Sequence, residues 1–132
     1  EAHEKIASLK PDFIVVAVDL NYESKALIGH DQFNRMKPSA VFVNISRGSV
    51  VDENALIDAL QQNKIFAAGL DVYAKEPLQS SALFELANVV TAPHIGSATA
   101  ETRKKMVDLA YQNLIDALED RTPRYLVNPK FE

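Results

Sequence analysis

The chain has 132 residues, 47% of them hydrophobic and 24% charged, with a formal net charge of −4 and no cysteine. That length provides for a single domain with a sizeable core, and an acidic balance without a basic cluster argues against nucleic acid as the main partner. No disulfide framework and no thiolate metal site or nucleophile is possible, while apolar runs too short to span a bilayer and the lack of a signal-peptide pattern fit a cytoplasmic protein with no membrane partner.

In chain order, residues 13–18 (FIVVAV) form a continuous apolar run rich in β-branched side chains, which predicts a strand buried on both faces. A second such run, 41–45 (VFVNI), follows the turn signal KPS. The stretch VDENALIDALQQNK then reads as a helix, with Asp52 as N-cap, Glu53 at the positive end of the dipole, and Ala55, Leu56, Ala59 and Leu60 as its apolar stripe. A strand of small residues is expected at 65–72, a short helical turn at SSALFELA, and a fourth strand at 88–92. A long helix over roughly 98–120 places Val107, Ala110, Leu114, Ala117 and Leu118 on one face. Residues 121–132 show no period and read as an irregular strap. Strands alternating with helices give an α/β class with a parallel sheet whose faces are covered.

In an open parallel sheet, ligands bind beyond the carboxyl ends of the strands. Those ends carry Asp19, Leu20 and Asn21, then Ser46 and Arg47, then Asp71 with Glu76 beyond it, and finally His94. Singly, each has a plainer explanation. Arg47 suits an exposed turn, Glu76 a turn before Pro77, Asp71 a cap, and His94 a hydrogen-bonded loop. Together on one edge they suit a particular chemistry. An arginine fork holds a planar carboxylate, and a histidine beside a carboxylate has its charged form favoured and serves as an acid. That combination describes interconversion of 2-keto and 2-hydroxy acids, with the hydride drawn from a nicotinamide because no side chain can supply it.

The stretches NISRGSVVDENALIDALQ, AAGLDVYAKEPL and NVVTAPHIGSATAETR, in that order and spacing, resemble the D-2-hydroxyacid dehydrogenase family. Within it the resemblance is greatest to the bacterial glyoxylate/hydroxypyruvate reductases and 2-ketogluconate reductases. The resemblance implies a Rossmann-like fold, NAD or NADP as cofactor, and a small 2-keto or 2-hydroxy acid as substrate. It implies Arg47 as the arginine that holds the substrate carboxylate and carbonyl, Glu76 as the glutamate, and His94 as the acid–base histidine. Leu20, Asn21, Ile45, Ser46, Arg47, Asp71, His94, Gly96 and Ser97 fall on cofactor-contacting positions. It also implies a homodimer for the complete protein.

Two departures stand out. Asp19 occupies a position where the family usually has proline, and Gly29, Gly48, Gly69 and Gly96 stand alone, so no G-x-G-x-x-G phosphate loop is present. Residues 1–132 therefore read as the second half of a dinucleotide-binding domain, with the tail leading toward an absent substrate domain. Without the glycine loop the pyrophosphate lacks its backbone donors, and without a second domain there is no closed cleft; the isolated chain is expected to turn over poorly and to bind cofactor weakly. A cut sheet also favours self-association.

Two other functions compete. A corepressor-like module, as found among relatives of this family, would keep the dinucleotide fold without catalysis. A hydrolase would use Ser46, Asp71 and His94, which occur in Ser…Asp…His order, although Asn44 replaces the first glycine of G-x-S-x-G. His3, His30 and His94 lack metal-ligand spacing, so no metal is expected.

Overall fold

The computed structural model describes residues 2–127; Glu1 and residues 128–132, the end of the expected strap, lie outside the described residues. The chain divides into two compact units, Glu1–His94 and Ile95–Glu132. The first unit runs α1 (Ala2–Leu9), β1 (Phe13–Val16), α2 (His30–Arg35), β2 (Val41–Asn44), a 3-10 turn (Gly48–Val50), α3 (Glu53–Gln61), β3 (Ala67–Leu70), a 3-10 turn (Ala82–Glu85) and β4 (Val89–Thr91). Its strands pair in parallel in the order β1-β2-β3-β4, so each helix or turn between them is a crossover.

The core lies on one side of this sheet. Ile14 and Val16, Phe42 and Asn44, and Ala68 and Leu70 alternate inward and are buried. They meet the stripe Ala55, Leu56, Ala59 and Leu60 of α3 and Phe33 of α2. Phe33 sets its edge against the ring of Phe42, centroids 5.2 Å apart, a favoured aromatic geometry. Each such large side chain contributes about 1.5–3 kcal/mol relative to leaving it in water. The predicted cap of α3 is present: the Asp52 carboxylate accepts from the amides of Asn54 and Ala55, satisfying two of the first-turn donors that a helix leaves unpaired.

The other face of the sheet corrects the expectation of burial on both sides. Phe13, Val15 and Val90 are 71%, 57% and 74% exposed. The parallel register aligns Val15 with Val43, Gly69 and Val90 in one row. Successive strand residues point to opposite faces, and the helices of this unit supply apolar partners for only one. A continuous apolar run records that both faces shun water; it does not say what covers each.

In the second unit, Thr99 caps α4 (Ala100–Leu118) by accepting from the Thr102 amide. Pairs spaced i,i+4, Lys104–Asp108 and Lys105–Glu101, lie along its surface, each contributing a few tenths of a kcal/mol. None of its residues is buried, so the expected stripe of Val107, Ala110, Leu114, Ala117 and Leu118 is in place but unburied. Residues 121–127 form turns and bends without a regular element. Among the described residues no helix is long and apolar enough to cross a membrane.

Candidate active site

The carboxyl ends of β2, β3 and β4 deliver Arg47, Glu76 and His94. The strand β2 ends at Asn44, and the chain turns through Ile45 and Ser46 to Arg47, which caps the 3-10 turn that follows. Arg47 is exposed, and its Nη1 donates to the Ser46 carbonyl at 2.7 Å. Gly48 follows because nothing larger fits: a Cβ there would lie 1.8 Å from the carbonyl carbon of Tyr73. The Arg47 turn is thus pressed against the main chain that leads to Glu76.

Glu76 is held at both carboxylate oxygens. Oε1 accepts from the Tyr73 amide at 3.0 Å, and Oε2 lies 2.7 Å from His94 Nδ1. The bond to His94, the Tyr73 amide and the nearby Arg47 charge hold the Glu76 carboxyl below its usual range. With the carboxylate ionised, Nδ1 donates to it, and Nε2 is the ring nitrogen left to exchange a proton with a substrate. His94 adopts φ 55°, in the left-handed region. Histidine is enriched there relative to most residues, yet such backbone costs about 1–3 kcal/mol and concentrates at functional sites.

Tyr73, absent from the sequence reading, ties the strand ends together. Its buried hydroxyl lies 2.8 Å from the Ala92 carbonyl and 3.1 Å from that of Leu70. Desolvation pushes the phenol up from its ordinary value, so it remains a donor. Ala92 in turn donates its amide to Leu70, which extends the β3–β4 ladder to within two residues of His94. The signal available in the sequence was a tyrosine directly after an apolar strand, too common to single out. Beside the pair, Tyr73, Pro77, Leu78, Phe84 and Thr91–His94 line a largely apolar cavity of about 500 Å³. Glu76 and His94 form its polar wall, and Arg47 does not line it.

The remaining expected positions divide. Leu20 and Ile45 are exposed at the ends of β1 and β2, 46% and 56% respectively, and Asp71 follows β3, donating its amide to the Asn44 carbonyl. Asn21 is engaged locally, its Oδ1 accepting from the amides of Glu23 and Ser24. Ser46 is buried, and its hydroxyl donates to Asn44 Oδ1 at 2.8 Å. Gly96 and Ser97 belong to the second unit, in the exposed turn before α4. A Ser46–His94–Asp71 triad is not built: the serine hydroxyl is committed to Asn44, and Nδ1 of the histidine to Glu76.

Comparison with known proteins places the chain in a family. Residues 5–96 match the model of the family described as D-isomer specific 2-hydroxyacid dehydrogenase, NAD binding domain. Glyoxylate/hydroxypyruvate reductase B of Salmonella newport is 54% identical over 120 residues, covering 90% of this chain and 37% of that protein. The chain therefore spans little more than a third of such a relative. The NADPH-dependent glyoxylate/hydroxypyruvate reductase of Sinorhizobium meliloti, solved with NADP and malonate, superimposes with a TM-score of 0.83 at 32% identity, over 95% of this chain and 42% of that one. D-lactate dehydrogenase of Lactobacillus jensenii with NAD+ gives 0.81 at 28% identity, over 92% and 41%.

Proposed function

The chain belongs to the D-isomer specific 2-hydroxyacid dehydrogenases, and on that premise we propose that the protein it comes from reduces small 2-keto acids of the glyoxylate, hydroxypyruvate or 2-ketogluconate type to D-2-hydroxy acids. The observation that carries the reading is the 2.7 Å contact of His94 with Glu76 on the edge that also presents Arg47. Arg47 pairs with the substrate carboxylate through its fork and draws on the carbonyl oxygen. Glu76 fixes the imidazole through Nδ1 and compensates the positive charge of its protonated form. His94 delivers the proton from Nε2 to the carbonyl oxygen as the alkoxide develops, an effect commonly of about 10²- to 10⁴-fold.

NADH or NADPH, when bound, supplies the hydride. The donor set fits such a group: Leu20 and Ile45 offer apolar surface for a flat ring, and Asp71 offers a carboxylate acceptor for an amide, all on the edge that carries Arg47. Ser46 lies directly before Arg47 on that edge, and Asn21 closes the local turn after β1, its Oδ1 accepting from the Glu23 and Ser24 amides and its own amide donating to Ser24 Oγ. The same reading gives a cytoplasmic homodimer, supported by the cysteine-free composition and by the open apolar face of the sheet.

The test is turnover by the complete protein. Each 2-keto acid is added to protein with NADH or NADPH, nicotinamide absorbance is followed, and product chirality is determined. Consumption with D-product is expected. No consumption with any 2-keto acid would retire the reading.

A further inference from the structure

We propose that Asn44 is a positioning residue for Arg47, setting the geometry with which the arginine grips a substrate carboxylate. The inference rests on the role given to Arg47 above. Asparagine is depleted in strands, and an amide buried without partners costs about 1–3 kcal/mol. Asn44 nevertheless ends β2 at 1% exposure, where the run VFV would continue more simply with another apolar residue.

Its bonds show what it is for. The main-chain carbonyl of Asn44 accepts from the Asp71 amide at 3.1 Å, which anchors the residue to the end of β3. Every side-chain bond runs forward into the turn. Oδ1 accepts from the Ser46 amide at 3.0 Å and from the Ser46 hydroxyl at 2.8 Å, and Nδ2 donates to the Arg47 carbonyl at 3.1 Å. The guanidinium then donates to the carbonyl of that same Ser46. Arg47 is therefore fixed twice through one amide, once by its own main chain and once by the peptide its fork leans on. On the far side, Gly48 abuts the Tyr73 carbonyl and leaves the turn no room to slide. No hydrogen bond joins Asn44 to Glu76 or His94, so its effect on the reaction runs through Arg47.

The test uses the complete protein with N44A and with N44L, which keeps the branched side-chain shape while removing all three bonds. Both variants are expected to lower kcat/KM for the 2-keto acid about tenfold or more, within the roughly 10²-fold that a misplacement near 1 Å can cost. The larger share should fall on KM, because Arg47 grips the substrate carboxylate before as well as during the reaction, and the shape of the pH–rate profile should stay unaltered. A role limited to stability would lower Tm and leave KM within about twofold, and that result overturns the proposal. Amide exchange supplies a readout apart from activity: Ser46 to Gly48 should exchange faster in N44L while β1 and β3 do not change. Unchanged exchange there overturns the proposal even if the wild type proves to reduce no 2-keto acid, a separate failure that belongs to the reading of the whole site.

Discussion

Gly48→Ala is a one-methyl perturbation at the point where the Arg47 turn meets the loop carrying Glu76. The added Cβ would stand 1.8 Å from the Tyr73 carbonyl carbon, 2.1 Å from its oxygen and 2.3 Å from the Ala74 nitrogen. Ordinary contact begins near 3.4 Å, so the shortest approach is about 1.6 Å too close, and backbone atoms cannot swing aside as a side chain would. The two loops must therefore part by more than an ångström. Overpacking of this kind costs about 1–3 kcal/mol, occasionally more. The same parting moves Arg47 away from the Glu76–His94 pair, and misplacement near 1 Å costs about 10²-fold in rate. Thermal unfolding and steady-state kinetics of the complete protein check both parts. A G48A variant with wild-type Tm and wild-type kcat/KM would refute the claim that this contact holds the site in register.

Further outcomes follow from other contacts. Replacing Asp52 with alanine removes the acceptor for two amides at the start of α3 and should cost about 1 kcal/mol, read as a lower denaturant midpoint at unchanged m-value. Phe42→Ala, at 0% exposure beneath Phe33, should cost about 3–5 kcal/mol by the same measurement. The lowered carboxyl of Glu76 gives stability that is whole above the ordinary glutamate range and is lost as pH falls through its lower folded-state value. Tm plotted against pH should therefore fall less steeply on acidification for E76Q than for wild type; parallel curves would remove the pair from the stability account.

Local chemistry was the most legible part of the fold. Asp52 announced its helix because capping is decided within three residues, and the runs FIVVAV, VFVNI and IFAAGLDV announced parallel strands because apolar runs without polar alternation mark them. The strands themselves are shorter, at Phe13–Val16, Val41–Asn44 and Ala67–Leu70. The helix α2 escaped notice: at six residues with one buried side chain, Phe33, it has too few turns to show a period. The open side of the sheet could not be read either, since Phe13 and Val15 look the same in sequence whether covered or bare. For the site, strand-end position was enough to bring Arg47, Glu76 and His94 together. What holds them was hidden, because the work falls to a main-chain amide at Tyr73, a missing Cβ at Gly48 and an amide at Asn44 whose bonds are fixed only by the folded turn.

The most direct test of the central claim is turnover by His94→Ala in the complete protein, at saturating cofactor and 2-keto acid. Under the proposed function the histidine is the proton donor, and its Nδ1 lies 2.7 Å from Glu76. Its loss should lower kcat by about 10²- to 10⁴-fold with cofactor affinity little changed. Full retained kcat would contradict the account, since the proton would then reach the substrate by another route.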